Sequence, residues 1–271
     1  MTTLKEALKG KLSKKEYEIA PSSFDVVGNI AIFSDFPDEL KKKEKLIAET
    51  LMKLNSNIKT VARKTKFYSG RYRTMKVKII VGEKNTETIH KENGIAMKLD
   101  VEKCYFSPRL SAERLRVAKS VKKNENVLVM FSGVGAYALV ISRNSKAKTI
   151  YGVELNPAAH KYAAENAKIN KFKNVIFVKG DASKIVPKLK IKFDRIIMPL
   201  PKTAEKYLGA ALGAAKKNTV IHFYDFQPED SFENSIKMIK RHVKKIKVLN
   251  IVKCGQYSPK IYRICVDFKI I

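Results

Sequence analysis

Two rhythms of apolar and polar residues divide this 271-residue chain near Pro108. In the first stretch, residues 24–33 (FDVVGNIAIF) read as two short strand pieces meeting at Gly28. Residues 38–54 then set Leu40, Leu46, Ile47 and Leu51 on one helical face, with lysines opposite. Short strands are predicted at 60–63, 74–81, 86–92, 95–100 and 103–106. One helix among antiparallel strands makes residues 21–108 a small α+β domain, preceded by a basic, partly helical arm over residues 1–20. From Arg109 onward helix and strand alternate. A helix runs to Ser120, strands follow at 126–130, 149–153, 175–178, 195–198 and 220–224, and Pro157 opens a helix over 158–170 at a favoured first-turn position. An amphipathic helix over 231–245 and two strands, 248–254 and 261–268, finish the chain. This alternation predicts an α/β fold, with a doubly wound seven-stranded sheet over residues 109–271.

The strand ends of that sheet carry candidate chemistry. The strand ending at Met130 runs into Phe131-Ser132-Gly133-Val134-Gly135, and the next strand closes on Glu154-Leu155-Asn156-Pro157. Glycines let the backbone approach a ligand, and a carboxylate at the end of the second strand can accept both hydroxyls of a ribose. A dinucleotide fingerprint would place a third glycine at position 138, where this chain has Ala138, although alanine is tolerated there in some dinucleotide folds. Asp181 supplies a second strand-end carboxylate, placed to hold an adenine amino group, and a further buried strand leads into the rigid turn Pro199-Leu200-Pro201. Taken singly, each feature is also an ordinary turn after a strand. Taken in order, they predict a class I methyltransferase sheet binding S-adenosylmethionine through Phe131, Ser132, Gly133, Gly135, Glu154, Leu155, Asp181, Ala182, Pro199 and Leu200.

Charge adds a partner to this picture. The chain has 55 Lys and Arg against 26 Asp and Glu, a formal balance of +29. An excess of that size repels itself in a compact state and suits a polyanion such as nucleic acid. Lysine bias from genome composition or adaptation to heat is the competing source. Cys104, Cys254 and Cys265 are too few and too scattered for a disulfide framework, and no CxxC pair suggests a metal. No stretch has the apolar core of a signal peptide or the length of a membrane span, so a cytoplasmic protein is expected.

Read together, the two halves resemble the Met-10-like family, whose best known members are the archaeal and eukaryotic tRNA guanine-37 N1-methyltransferases. The resemblance rests on residues 24–32, Gly70-Arg71-Tyr72-Arg73-Thr74, Glu92-Asn93-Gly94, Tyr105-Phe106-Ser107-Pro108-Arg109 and Glu113-Arg114-Leu115-Arg116. It continues through residues 130–135, 194–201 and 221–226, so it covers nearly all of the chain from Phe24. It implies Glu113 as general base for the guanine N1 proton and Arg73 as the donor that stabilises charge on O6. Tyr105 would lie near the target base or cofactor, and Arg71, Arg109 and Arg114 would contact RNA. The implied partner is tRNA at its anticodon stem-loop, with the protein acting as a monomer. Without the resemblance, Glu113 is explained by the dipole of its helix, Arg73 by a phosphate contact and Tyr105 by strand packing.

Departures from the family pattern are also visible. Val129 stands two residues before Phe131 where many relatives have an aspartate, and Pro199 stands where many have an asparagine able to bond the target base. The separate N-terminal tRNA-docking domain of the family is expected to be absent or reduced to the arm. Aminocarboxypropyl transfer in the wybutosine pathway and methylation of a wyosine base therefore stay open. So do a basic RNA-binding module with a degenerate pocket and a small-molecule methyltransferase.

Overall fold

The computed structural model describes residues 2–271. The chain divides into two compact units, one running to Lys91 with Met97–Pro108 and the other formed by Glu92–Ala96 with Arg109–Ile271. The first unit holds α1 (Leu4–Ala7), α2 (Lys14–Glu18), β1 (Asp25–Val27), β2 (Ile30–Phe33), α3 (Glu44–Leu54), β3 (Thr60–Ser69) and β4 (Thr74–Gly82). Its strands form one sheet in chain order, with β2 and β3 parallel and the other pairs antiparallel. Helix α3 is shorter than its apolar pattern predicts, because Asp38–Lys43 is a 3-10 turn. A hairpin of β5 (Glu87–Glu92) and β6 (Ile95–Asp100) follows.

Two expectations fail in this unit. Residues 4–20 are not a separate arm: Leu4 and Leu8, one helical turn apart, are buried in a core with Leu40, Ile47, Leu51 and Val61. Capping boxes at Thr3/Glu6 and Ser13/Glu16 start both short helices. Residues 103–106 form no strand either. The Asp100 carboxylate accepts the N–H groups of Glu102 (2.9 Å) and Lys103 (3.3 Å), so the chain turns as soon as β6 ends.

The second unit begins with a 3-10 turn at Pro108–Leu110 and α4 (Ser111–Ser120), then alternates strand and helix. Its elements are β7 (Asn126–Met130), α5 (Ala136–Asn144), β8 (Thr149–Glu154), α6 (Pro157–Ile169), β9 (Val175–Lys179), α7 (Ala182–Ile185), β10 (Phe193–Met198), α8 (Leu208–Gly213), β11 (Ala215–Pro228), α9 (Glu233–His242), β12 (Ile246–Ser258) and β13 (Ile261–Ile270). They build the expected seven-stranded sheet, in the order β12-β13-β11-β10-β7-β8-β9. The five strands from β11 to β9 are parallel and β13 runs against them. Strands β7 and β10 are buried along almost their whole length because helices cover both faces of a parallel sheet. The order reverses between β7 and β10, and a crevice at the carboxyl ends of the strands beside such a reversal is where open α/β sheets bind ligands.

Candidate functional site

The loop after β7 is built for close backbone approach. Phe131 takes a left-handed conformation (φ 56°), as do Gly133 and Gly135, and Gly135 starts α5. A Cβ on Gly135 would lie 2.8 Å from Cζ of Phe177, and one on Gly152 of β8 would lie 2.5 Å from its Cδ1. Two glycines therefore make room for one ring of β9. Buried Asn166 of α6 donates to the Val134 carbonyl at 3.1 Å and pins the loop from the other side. Sequence reading missed Gly152, Phe177 and Asn166.

Polar atoms converge on this loop. One oxygen of Glu154 accepts the Gly133 N–H and the other the Asn156 N–H, each at 2.7 Å. Burial raises the pKa of this carboxylate, outweighing those backbone bonds. A carboxylate oxygen has two lone pairs, so backbone donation leaves each oxygen able to accept a ribose hydroxyl. Ser132 Oγ is buried with no hydrogen-bond partner. An orphaned hydroxyl beside an open carboxylate fits a polar ligand, and the residues present suit a nucleoside cofactor. Asp181 caps α7, its Oδ1 accepting the N–H and hydroxyl of Ser183 at 2.9 and 2.7 Å. Ala182 is buried, whereas Leu155, Pro199 and Leu200 are half-buried at the strand ends. The Leu200 N–H folds back on the Met198 carbonyl (2.8 Å) and fixes the proline turn.

Glu113 lies on α4 and is buried, 7% exposed. Its carboxylate receives Nε and Nη2 of Arg116 at 2.7 and 2.8 Å and the Tyr224 hydroxyl at 2.5 Å. The Tyr137 hydroxyl lies 3.0 Å from that of Tyr224. Arg116 also binds Asp267 of β13 at 2.6 Å, and His222 Nδ1 lies 2.6 Å from the same carboxylate. Arg195 Nη1, which can only donate, is 2.7 Å from His222 Nε2, so the Nδ1 proton of His222 points at Asp267. Burial would raise the pKa of Asp267, yet hydrogen bonds from His222 and Arg116 hold it well below the usual carboxylate range. Burial lowers that of His222 and keeps the ring neutral. Cys265 joins His222 and Asp267 in a cluster compact enough for a metal ion, but both ring nitrogens of His222 are already engaged. The cluster is a hydrogen-bond network.

One expected RNA contact is a structural ion pair instead. Arg114 is buried, and its Nε and Nη2 grip Glu92 bidentately at 2.5 and 2.6 Å. With Nε and Nη2 given to a buried carboxylate, this guanidinium works within the fold. Arg109, by contrast, is exposed. In the first unit, Arg71 is exposed in the turn between β3 and β4, and Arg73 holds a left-handed conformation (φ 50°) in the same turn. Tyr105 packs edge-on against Tyr68 at 4.8 Å, and the Tyr68 hydroxyl donates to the Phe106 carbonyl.

Comparison with known proteins decides the family. Residues 88–252 match the TRM5/TYW2 methyltransferase domain, and residues 4–86 match the TYW2 N-terminal domain. The chain belongs to the TRM5/TYW2 methyltransferase family. The tRNA (guanine(37)-N(1))-methyltransferase Trm5b of Pyrococcus abyssi is 41% identical over 255 residues, covering 92% of this chain and 75% of that protein. The complex of aTrm5 with tRNALeu superposes with a TM-score of 0.88 at 34% identity, covering 99% of this chain and 78% of that one. The TYW2 of M. jannaschii in complex with AdoMet gives 0.70 at 28% identity, covering 92% and 100%. The resemblance read from sequence, the methyltransferase fold and S-adenosylmethionine as cofactor are thereby borne out. Among the described residues, no helix is long and apolar enough to cross a membrane.

Proposed function

We propose that this enzyme transfers a methyl group from S-adenosylmethionine to N1 of guanosine 37 in tRNA, acting as a monomer on the anticodon stem-loop. The observation that carries this reading is the hydrogen-bonded chain from Tyr137 through Tyr224 to Glu113. Tyr137 is the second residue of α5, the helix that the glycine loop starts, so the chain ties the cofactor loop to the proposed base. The similarity to a Trm5–tRNA complex and the balance of +29 support tRNA as the partner.

Bound S-adenosylmethionine supplies an electrophilic methyl on a sulfonium. The residues of this chain manage the rest. Glu154 would hold the ribose, Ser132 would offer a hydroxyl to the cofactor, and the glycine loop would let the backbone close on it, fixing donor against acceptor. Guanine N1 carries a proton that must leave before N1 can accept the methyl and the methyl–sulfur bond can break, and Glu113 takes it. Negative charge then builds on O6, and Arg73 stabilises it. Arg116 and Tyr224 hold Glu113 by donors only, so its orientation is fixed while the carboxylate remains an acceptor.

A second reading, aminocarboxypropyl transfer to a wyosine-type base, is favoured by the TYW2 N-terminal match over residues 4–86 and by Pro199, which offers no side-chain donor. One experiment separates them. The protein is incubated with unmodified tRNA transcript and labelled cofactor, and the product nucleoside is identified by mass. Gain of one methyl on guanosine supports the first reading, and a heavier adduct supports the second. Glu113→Gln should lower turnover about a hundredfold to ten-thousandfold, with unchanged cofactor affinity. Full activity in both Glu113→Gln and Arg73→Ala would refute the assigned roles.

A further inference from the structure

Strands β11 and β13 pair antiparallel, with His222 opposite Asp267, Tyr224 opposite Cys265 and Phe226 opposite Arg263. Directly opposed residues share a face, and steps of two along a strand stay on it. One face therefore runs from the buried His222–Asp267 pair, past the Tyr224 that contacts Glu113, to Phe226 and Arg263. A step of two residues is about 7 Å, so Phe226 stands roughly that far along the strand from Tyr224.

At this end the face changes character. Tyr257 of β12 is 51% exposed, and its ring lies on that of Phe226, with centroids 4.1 Å apart and planes tilted by 31°. The pairing of β12 with β13 explains how the ring gets there. Gln256 pairs with Tyr262 and Ser258 with Ile261, so Tyr257 is the extra residue of a bulge, and bulges re-aim side chains. Two cations lie over the rings. Lys202 Nζ is 5.9 Å from the Tyr257 centroid, and the Arg263 guanidinium is 5.5 Å from that of Phe226. Lys202 directly follows the Pro199-Leu200-Pro201 turn, and Met198 pairs with Phe223, so the aromatic pair stands beyond the carboxyl end of β10, where the proposed cofactor residues lie.

We propose that Tyr257, supported by Phe226, is a stacking platform for an unpaired nucleobase of the RNA substrate, with Lys202 and Arg263 meeting the adjoining phosphate. The inference rests on the tRNA reading and adds a binding site to it. A half-exposed ring backed by a second ring is an apolar surface on which a planar base can stack as the Lys202 ammonium above it turns to the phosphate. The two charges are complementary to a polyanion, and they disfavour a cationic or purely apolar occupant.

The test measures equilibrium binding of unmodified tRNA transcript across a series of salt concentrations, with S-adenosylmethionine affinity as the control for folding. Tyr257→Ala should raise the tRNA Kd about tenfold while leaving the salt slope and cofactor Kd unchanged, because stacking releases no counterion. Tyr257→Phe should bind like the wild type. Lys202→Ala should instead flatten the salt slope by about one. Unchanged tRNA affinity in Tyr257→Ala would overturn the site, as would an equal loss in Tyr257→Phe, which would assign the effect to the hydroxyl. A wild-type protein that fails to bind tRNA would defeat the tRNA reading itself and this site with it.

Discussion

Glu154 and Asp267 are buried or half-buried carboxylates of one sheet, and they are held in opposite ways. Glu154, at the end of a parallel strand, is held by two backbone N–H groups, and burial raises its pKa. Asp267, in the antiparallel half, is held by Arg116 and His222, whose bonds overcome burial and depress its pKa. Backbone donors position a carboxylate while leaving lone pairs and unbalanced charge for a ligand. Side-chain donors supply the compensation within the protein. The parallel half is thus prepared for a guest, whereas the antiparallel half is a closed polar core that supports Glu113.

If the antiparallel network is closed, cutting it should damage the fold before it damages the cofactor site. Asp267→Ala leaves Arg116 and His222 facing a vacated buried position. Removing one partner of a buried pair costs about 3–5 kcal/mol, and the lower end, about 3 kcal/mol, is expected because Arg116 is 29% exposed. Denaturant unfolding reads this loss. A variant as stable as the wild type would show that the network is solvent-compensated and the comparison false.

The parallel half should break through its backbone. In Gly152→Ala the new Cβ meets Phe177 at 2.5 Å and Ser132 Cβ at 3.1 Å, so the ring or the glycine loop must shift. Overpacking of this kind costs about 1–3 kcal/mol. Its signature is a weaker S-adenosylmethionine Kd in titration, with Glu113 undisturbed. A stability loss with unchanged cofactor affinity would mean that Phe177 absorbs the strain and the loop does not depend on it.

This contrast also explains what was legible in the sequence. The glycine loop, Glu154 and Asp181 follow strand ends directly, so local pattern located them. Gly152 and Phe177 meet only because β8 and β9 pair, and Arg116 reaches Asp267 across 151 positions of sequence. No local window contains such a pair. One signal was present: His222 and Tyr224 in one predicted strand, and Arg263, Cys265 and Asp267 in another, put polar atoms at two-residue spacing among apolar neighbours. Two such rows imply a shared buried polar face. The ion pair of Arg114 escaped notice for a related reason. Its motif marks it as basic, and only the fold shows Glu92 beside it.

The gentlest test uses pH. On the proposed reading, ribose hydroxyls would donate to Glu154 and favour its charged form, so the cofactor-bound enzyme should have a lower Glu154 pKa than the free enzyme, in which burial raises it. Cofactor affinity should therefore be flat above the free-enzyme value and weaken as pH falls through it, by at most about tenfold per pH unit. The cofactor's α-amino group titrates near pH 7.7–8.0, roughly, and affects only the alkaline side. Asp267 does not blur the window. Its depressed pKa means that its stabilising contribution is complete above the unfolded value near 3.8 and is lost only as pH falls through the lower folded value. Glu154→Gln should bind more weakly at every pH and show no acid limb. If that variant kept the limb, the titrating group would lie elsewhere, and Glu154 would be a carboxylate without a ribose to hold.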